Sequence, residues 1–415
     1  MLASVSGMVR IGGDERRRRV ATRHRLIEWA GSVEEAVEAV VVLHATDPAT
    51  IFLSALARMA DPSIQAIEAS LYDDRTLART MAMRRTLWVA TTATLPTVEA
   101  SSSLEVAAHE RRRLTTFLND SGVDDASGWL DAAAAEVMAA LEEGGQPARA
   151  ITKLAPRLAT KIVAGAGTKN EVEIGATSRV LLLMALDGLL VRGRPAGAWT
   201  GRQYVWHRRD RWMAESPSAP EPGEAAAKIV GAWLAAFGPA TFDDVRWWTG
   251  WTVGKTRAAV AANAVEEVVL EGERTGLVLV GDSEPTPDPG PWAALLPSLD
   301  PTAMGWKERE WYVGDHTAAL FDRNGNIGPT VWVDGRIVGG WCQGPDGEIR
   351  TGYLEDVGAG HRALVDAEVA RMGSILGDVV VKPSFPTPLQ KNLAATWALW
   401  GQTPSVLTRN EQTGA

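Results

Sequence analysis

The chain has 415 residues, of which 46% are hydrophobic and 22% are charged, and these proportions exclude a wholly disordered protein. A single cysteine, Cys342, excludes an intramolecular disulfide, and a net charge of −9 excludes a protein that is basic throughout. At roughly 100–200 residues per domain, this length predicts two to four domains. No apolar run is long enough to cross a membrane, and the N-terminal segment lacks the pattern of a secretory signal. We therefore predict no membrane contact and a cytoplasmic location.

Basic residues are concentrated in one part of this acidic chain. Between Arg149 and Arg211 there are twelve lysines and arginines but only four acidic residues. A second basic run extends from Arg16 to Arg19. Such asymmetry is typical of a module that binds a polyanion within an acidic protein, and a solvated arginine-rich face is the alternative interpretation.

The first hundred residues predict a group of helices followed by a strand. The segment Arg16–Trp29 has a helical pattern, and Ser32 followed by Glu35 is the spacing of a capping box. The dipeptide Asp47-Pro48 predicts the start of another helix, because Asp caps a helix and Pro suits its first turn. The segment Met83–Thr92 is rich in Thr, Leu, Val and Trp, which predicts a strand.

The order of helices followed by a hairpin occurs twice more along the chain. The apolar run Val180–Leu186 predicts a helix, and two extended runs then flank the turn residues 195–197. This order is typical of a winged helix, here with an arginine-rich wing. The third occurrence has the short helix, glycine turn and second helix of a helix-turn-helix, and then a hairpin. Its predicted helices are 224–237, 242–248 and 253–263, and its predicted strands are 265–271 and 276–281.

The sequence changes character after a proline-rich linker at 283–291. Residues 331–357 alternate between apolar and polar side chains and contain the turn signals Asp334-Gly335 and Asp346-Gly347. This pattern predicts a small antiparallel sheet or barrel. A helix at His361–Leu376, a strand at Val379–Lys382 and a frayed C-terminus of roughly 15 residues are predicted to follow.

The most unusual polar group in the first region is His44, Thr46 and Asp47, between two apolar helices. An imidazole, a hydroxyl and a carboxylate at a helix end can orient a water molecule and supply a general base. Helix capping by Thr46 and Asp47 is the alternative. The six histidines are scattered without metal-ligand spacing, so we predict neither a metal nor a cofactor. Four tryptophans are candidates for base stacking or for a sheet core, namely Trp306, Trp311, Trp332 and Trp341.

Several segments together resemble the bacterial winged-helix DNA glycosylase superfamily, which includes the enzymes that unhook azinomycin-type interstrand crosslinks. The resemblance covers nearly the whole chain. It is carried by LHATDPATIFLSALAR, MRRTLWV, RVLLLMALDGLLVRGRPAGAWTGRQYVW, WWTGWT, LLPSLDPTAMGWKEREWY, FDRNGNIGPTVWVDGRIVGGW and LEDVG.

The resemblance implies an α+β fold with three tandem winged-helix domains followed by a small C-terminal β-barrel. The corresponding domains are 1–120 with an N-terminal helix, 121–215 with the basic wing, 216–285, and 286–415 with a helix and a flexible tail. It also implies a protein that binds damaged double-stranded DNA and hydrolyses N-glycosidic bonds of alkylated purines or crosslinked bases without a metal. We expect a nucleoid-associated monomer, since no pattern indicates a coiled coil or an obligate dimer.

The catalytic motif of the family is Gln-x-Gln or Gln-x-Asp, and this chain departs from it. His44 stands at the first Gln position and Thr46 at the second. The resemblance therefore implies that His44 and Thr46 position the attacking water, with Asp47 as an electrostatic partner. The arginines expected to hold DNA phosphates are Arg84, Arg85, Arg192, Arg194 and Arg202.

Two other functions remain open at the level of the sequence. The motif departure is compatible with a DNA-binding protein that lacks or has redirected the chemistry, such as a regulator or lesion binder. A small-molecule sensor that uses the tryptophan-rich C-terminal part is the third interpretation. Loss of base release in His44→Ala separates the enzyme from the binding protein, and a ligand-induced fluorescence change without DNA would favour the sensor.

Overall fold

A computed structural model describes residues 8–213 and 218–396, with 47% helix and 18% strand. The chain divides into two compact units. The first unit contains the residues up to Ile67 and those from Ala227 onward, and the second is Glu68–Ala226. The first boundary lies inside the predicted domain 1–120, and the four-domain division stays a prediction. None of the helices in the described ranges combines the length and apolar character needed to cross a membrane.

The N-terminal part of the first unit consists of short helices around one short strand. Its elements are α1 (Gly13–Arg23), α2 (Val33–Glu38), β1 (Leu43–His44), α3 (Pro48–Leu56) and α4 (Ile64–Glu68), of which the last residue already belongs to the second unit. The predicted helix ending at Trp29 is too long, because the backbone turns left-handed at Arg25, where φ is 55°. The predicted capping box is confirmed in one half, since the Ser32 side chain accepts a hydrogen bond from the Glu35 N–H. The Glu35 carboxylate accepts from the Gly31 N–H at 2.8 Å instead of from Ser32.

The second unit contains the whole arginine-rich segment Arg149–Arg211. Its elements are β2 (Leu77–Met81), β3 (Leu87–Thr91), α5 (Leu95–Val98), α6 (Leu104–Asp120), α7 (Ala126–Ala140), β4 (Gln146–Pro147), α8 (Ala148–Leu154), β5 (Lys161–Ala164), β6 (Val172–Gly175), α9 (Thr177–Leu186), β7 (Leu190–Pro195), β8 (Tyr204–Arg208) and α10 (Arg209–Trp212). Helices α6, α7 and α9 bury a common core that includes Leu118, Leu130 and Leu181. The predicted helix and hairpin are confirmed as α9 followed by the antiparallel pair β7–β8.

The predicted strand Met83–Thr92 is wrong in its first half. Strands β2 and β3 form an antiparallel hairpin, and Met83–Arg85 is the turn between them. Both Arg84 and Arg85 have positive φ values, 54° and 55°. The β-forming composition hid this turn, because arginine is rarely found in the left-handed conformation that the turn requires.

The remainder of the first unit begins with a helical group and continues into a sheet. Its elements are α11 (Pro222–Phe237), α12 (Phe242–Thr249), α13 (Val253–Ala261), β9 (Val265–Val269), β10 (Thr275–Leu279), β11 (Ala293–Leu296), α14 (Glu310–Val313), α15 (Thr317–Leu320), β12 (Thr330–Val333), β13 (Arg336–Gln343), β14 (Ile349–Tyr353), α16 (Gly358–Leu376) and α17 (Pro388–Thr396). Helix α11 begins a few residues before the unit boundary.

Strong caps explain why the third predicted group of elements is confirmed. Thr241 and Asp244 form a reciprocal capping box at the start of α12. Gly250 ends α12 with φ at 71°, and Thr252 caps α13. The antiparallel hairpin β9–β10 follows. The element order is that of a helix-turn-helix with a wing, while the number of winged-helix domains stays a prediction.

The predicted C-terminal barrel is an open sheet in the described residues. Four antiparallel strands occur in the order β11-β12-β13-β14, so that β11 and β14 are edges. Closure would require more strands with a consistent tilt and stagger. The predicted Asp334-Gly335 turn joins β12 to β13, and both residues have positive φ. Val379–Lys382 is not a strand, and the predicted flexible tail lies outside the described residues.

Candidate active site and DNA-binding residues

The segment that contains His44, Thr46 and Asp47 lies between the end of β1 and the start of α3. His44 is buried, with 4% of its surface exposed, whereas Thr46 is exposed. The backbone N–H of Thr46 donates a long hydrogen bond of 3.4 Å to His44 Nδ1. This contact fixes the ring nitrogen that accepts, so that a neutral His44 carries its proton on Nε2.

Asp47 has both carboxylate oxygens engaged by backbone donors. Oδ1 accepts from the Ala49 N–H at 3.2 Å and caps α3, while Oδ2 accepts from the Ser384 N–H at 3.0 Å. The side chain is buried, with 5% exposed. Capping, one of the two interpretations of the sequence, therefore describes the contacts of Asp47 but not those of the exposed Thr46. Asp47 connects the start of α3 to the segment that precedes α17.

Helix α3 is fastened to the loop after β11 by a regular ladder of polar side chains. The Thr50 hydroxyl donates to the Ser298 carbonyl at 2.7 Å, and the Ser54 hydroxyl donates to Asp300 Oδ2 at 2.6 Å. One turn further, Arg58 donates two hydrogen bonds to Asp300, at 2.7 and 2.9 Å. Donors four residues apart share one helix face, and their acceptors lie on either side of a turn at Leu299, where φ is 59°. The ladder fixes the position of α3 and hence of its N-terminal end.

The ion pair between Arg58 and Asp300 is completely buried. Burial alone would raise the pKa of Asp300, but the nearby Arg58 and the hydrogen bonds to the carboxylate hold the pKa below its ordinary value. Asp300 also accepts from the Thr302 N–H at 2.9 Å, and Arg58 donates to the Thr302 hydroxyl at 2.7 Å. The two charges thus compensate each other within a hydrogen-bond network, although the buried Arg58 Nε has no hydrogen-bond partner among the described residues.

His24 extends this network and remains uncharged. Its Nδ1 lies 2.8 Å from the Thr302 hydroxyl and its Nε2 lies 3.2 Å from the Ala236 carbonyl. Burial, with Arg58 nearby, lowers the pKa of His24 to about 3. The imidazole therefore has a structural role within the first unit at neutral pH.

The basic run in α1 is mostly internal to the first unit. Arg16 and Arg19 have 2% and 1% of their surfaces exposed. The Arg16 guanidinium lies 4.1 Å from the ring centre of Trp311, and burial lowers the pKa of Arg16 to about 10. Arg19 donates to Glu15 and to the carbonyls of residues 282 and 284. The interpretation of this run as a polyanion-binding surface is wrong for Arg16 and Arg19.

The four candidate stacking tryptophans are mainly core residues. Trp306, Trp332 and Trp341 are buried with at most 2% exposed, and their indole N–H groups donate to protein acceptors. Trp311 is half-buried and covers Arg16. The core interpretation therefore applies to this group.

Arg84 and Arg85 lie on the turn of the β2–β3 hairpin rather than on a strand. The Arg84 guanidinium lies 5.8 Å from the ring centre of Trp88. The exposed Arg85 donates a hydrogen bond of 2.6 Å to His109 Nε2 on α6. The turn thus presents one arginine against the hairpin and the other toward α6.

Arg192 belongs to a cation–aromatic group that the sequence did not reveal. Its guanidinium lies 4.6 Å from the ring centre of Trp206, and burial lowers the pKa of Arg192 to about 10, with Arg79 contributing in the same direction. Arg79 on β2 is buried, lies 5.0 Å from the Tyr204 ring centre, and donates to the Tyr72 hydroxyl at 2.7 Å. Arg79 and Arg192 therefore share one aromatic environment. The one sequence signal for this was the position of Arg79 on a hydrophobic strand, where alternate residues lie on the same face.

Arg194 and Arg202, the other two arginines predicted on the wing, differ in their surroundings. Arg194 donates to Glu68 at 2.6 Å and to Asp73 at 2.9 and 3.1 Å, so its charge is already matched by carboxylates. Arg202 is exposed in the β7–β8 connection. The predicted catalytic residues belong to the first unit and the predicted phosphate-binding arginines to the second.

Comparisons with known proteins show the family of the chain and a similar fold. A family model described as "DNA glycosylase AlkZ-like" matches residues 37–375, so the chain belongs to the AlkZ-like DNA glycosylase family. The interstrand DNA cross-link repair glycosylase of Streptomyces sahachiroi is 32% identical over 131 residues, which are 29% of this chain and 35% of that protein. The chain thus aligns with about a third of the length of this relative. The solved structure of the Streptomyces sahachiroi DNA glycosylase AlkZ has a TM-score of 0.68 at 22% identity, and covers 90% of this chain and 100% of its own.

Proposed function

We propose that this protein is a monofunctional DNA glycosylase that hydrolyses the N-glycosidic bond of alkylated purines or crosslinked bases in duplex DNA. Membership of the AlkZ-like family across residues 37–375 is the observation that carries the proposal. The matched relative is named as an interstrand cross-link repair glycosylase, which supports bulky DNA lesions as the substrate class. A duplex substrate would place the protein with chromosomal DNA in the cytoplasm.

In this proposal His44 orients the attacking water. The His44 imidazole and the exposed Thr46 hydroxyl supply the polar contacts that hold the water oxygen against the sugar carbon, and the proton that the water loses as the C–O bond forms passes to solvent. An N-alkylated purine is cationic and leaves readily, so the reaction needs little acid catalysis. The developing oxocarbenium ion needs a correctly placed nucleophile more than a strong base.

Asp47 acts in this proposal as a positioning residue. Its oxygens are engaged by the N–H groups of Ala49 and Ser384, which favours a role in holding the segment rather than in proton transfer. The polar ladder from α3 to Asp300 supports the same segment from the opposite end of the helix. A preorganised end of α3 would keep His44 and Thr46 at a fixed separation.

Phosphate binding is proposed for the arginines of the second unit. The exposed Arg85 and Arg202 are the best placed to reach DNA, and the half-buried Arg84 and Arg192 would support the surface from below. Arg194 would have to exchange Glu68 and Asp73 for a phosphate. The proposed architecture remains three tandem winged helices, which use such wings on a duplex.

The proposal is tested with a duplex that carries a single N7-alkylguanine. Alkali converts abasic sites into strand breaks, so base release is read on a gel. We expect breaks with the wild-type protein and a loss of about a hundredfold or more in rate for His44→Ala. His316→Ala serves as the control, because His316 pairs with Glu355 and is likewise mostly buried in the first unit. Retarded DNA without breaks across a panel of alkylated bases would instead support a DNA-binding protein without this chemistry.

A further inference from the structure

Three arginines and a histidine of the second unit surround one carboxylate on α6. Arg85 and His109 lie 3.8 and 4.0 Å from Glu110 Oε1, and Arg113 and Arg179 both lie 3.9 Å from Glu110 Oε2. The Glu110 side chain is 11% exposed, while the four surrounding side chains are 30–53% exposed. We refer to these five residues as the Glu110 cluster.

The Glu110 cluster is assembled from three elements that an apolar group holds together. Arg85 comes from the β2–β3 turn, Arg113 from α6 and Arg179 from α9. On these same elements, Val106 and Ala107 of α6 pack with Leu186 of α9, and the partly buried Met81 and Leu182 pack against them. The positions of the charges are therefore fixed by packing rather than by the charges themselves.

The charges of the cluster are unbalanced. Three guanidinium groups face one carboxylate, and none approaches it closer than 3.8 Å, which exceeds hydrogen-bond distance. Each guanidinium carries five N–H donors, and Glu110 takes none of them at these distances. An excess of positive charge with unspent donors is the arrangement that binds phosphate oxygens.

Arg111, on the same helix, forms an ion pair within hydrogen-bond distance and provides a comparison. Arg111 lies 2.5 Å from Asp187 and is 47% exposed, compared with 44% for Arg113. Its charge is neutralised within hydrogen-bond distance. The difference between Arg111 and Arg113 is therefore one of partners and not of exposure.

Backbone strain in the β2–β3 turn also indicates a ligand site at the Glu110 cluster. Arg84 and Arg85 both adopt the left-handed conformation, which costs a non-glycine residue on the order of 1 kcal/mol each. The turn nevertheless uses arginine at both positions, and Arg85 is directed at His109. A strained pair of cations at an exposed turn is better explained by a ligand than by stability.

We propose that the Glu110 cluster is a phosphate-binding site that clamps the backbone of duplex DNA, with Arg113 and Arg179 as contact residues in addition to Arg85. The negative charge of Glu110 reduces the repulsion between the three guanidinium groups and limits their affinity for an anion, and the phosphate oxygens accept hydrogen bonds from N–H groups that Glu110 does not engage. This inference rests on the proposed function for its duplex ligand, but it concerns binding and not bond cleavage.

The first test measures the affinity for an unmodified, fluorescently labelled duplex at several salt concentrations. Loss of one phosphate contact reduces the slope of log K against log salt by about 0.9, so Arg113→Gln and Arg179→Gln are each expected to lower the slope by that amount. Arg111→Gln removes the same charge from the same helix and is expected to keep the wild-type slope. Equal slopes for Arg111→Gln and Arg113→Gln would overturn the proposal.

Glu110→Gln provides a gain-of-binding test that misfolding cannot imitate. Removing the negative charge of Glu110 is expected to tighten duplex binding about fivefold, because the carboxylate repels the phosphate. If Glu110 is only a structural anchor, the variant will melt at a lower temperature and bind no more tightly, and the proposal fails.

These measurements separate the inference from the proposed function. A protein that binds the duplex through the Glu110 cluster but releases no alkylated base supports the clamp and contradicts the glycosylase. If the protein releases base, and if Arg113→Gln and Arg179→Gln leave both the kinetics and the salt slope unchanged, the result supports the glycosylase and contradicts the clamp.

Discussion

Arg58 in the first unit and Arg113 in the second both face a carboxylate, but the surroundings of the two pairs differ. Arg58 and Asp300 are fully buried and form a pair of one cation and one carboxylate. The Asp300 carboxylate also accepts hydrogen bonds from Ser54 and Thr302. Arg113 shares Glu110 with two other arginines at 3.8–3.9 Å and remains partly exposed.

The comparison shows that the arginine content of this chain serves two purposes. In the first unit, buried arginines such as Arg19 and Arg58 connect helices to loops, and their charges are compensated by nearby carboxylates. In the second unit, the Glu110 cluster has more positive than negative charge. Counting basic residues therefore gives no measure of DNA affinity, and the ratio of cations to nearby carboxylates is the informative quantity.

The largest effect is expected from Asp300→Asn, which breaks the compensated pair. Arg58 would be left as a buried charge without its partner, and the free energy of unfolding should fall by about 3–5 kcal/mol. Chemical denaturation measures this change. Asp288→Asn is the control, because Asp288 is 70% exposed and lies 3.8 Å from Arg18. Equal stability of the two variants would contradict the structural role of the pair.

The buried network also predicts acid sensitivity. The pKa of His24 is about 3 in the folded protein and near its ordinary value of 6.5 in the unfolded chain, so the unfolded chain binds more protons between these pH values. The contribution of His24 is fully present above about pH 6.5. It is lost as the pH falls, at up to about 1.4 kcal/mol per pH unit.

Denaturation at several pH values measures this slope. His24→Asn should be less stable at neutral pH but should lose this part of the slope, and His316→Asn should keep it. An unchanged slope in His24→Asn would show that other groups control the acid sensitivity.

The smallest effect is expected from a substitution of Arg85 in the Glu110 cluster. In Arg85→Gly, relief of about 1 kcal/mol of left-handed strain exceeds the cost of about 0.5 kcal/mol from greater unfolded-state freedom, so stability should rise slightly while DNA binding weakens. Arg85→Gln is the matched variant, which loses the cation but keeps the strain. Thermal melting and duplex binding measured on both separate the two contributions, and a drop in stability for Arg85→Gly would argue against strain.

The sequence allowed the element types to be predicted where local signals are strong. The Ser32 cap, the glycine that ends α12 and the Asp334-Gly335 turn each act within a few residues, and the structure has all three. The first helix and the strand at 83–92 were wrong because left-handed residues at Arg25, Arg84 and Arg85 are not glycines and gave no signal. The barrel was wrong because sheet closure depends on strands that are distant in sequence.

The candidate site was predictable in part. The segment with His44, Thr46 and Asp47 stood out as a polar group between apolar helices, but its burial and the backbone partners of Asp47 depend on Ser384, far along the chain. The ladder at Thr50, Ser54 and Arg58 has a visible four-residue spacing, which identifies it as a buried polar face only once its acceptors are known. The Glu110 cluster combines three separated elements and has no local signature.

The central claim is that chemistry and DNA binding depend on different residues, His44 for bond cleavage and the Glu110 cluster for the duplex. Single-turnover base release from a duplex with one N7-alkylguanine, measured against protein concentration for wild type, His44→Ala and Arg113→Gln, tests it most directly. We expect His44→Ala to lower the plateau rate by about a hundredfold without shifting the half-saturating concentration. We expect Arg113→Gln to raise that concentration without changing the plateau. The opposite assignment, or wild-type behaviour of both variants, would contradict the account.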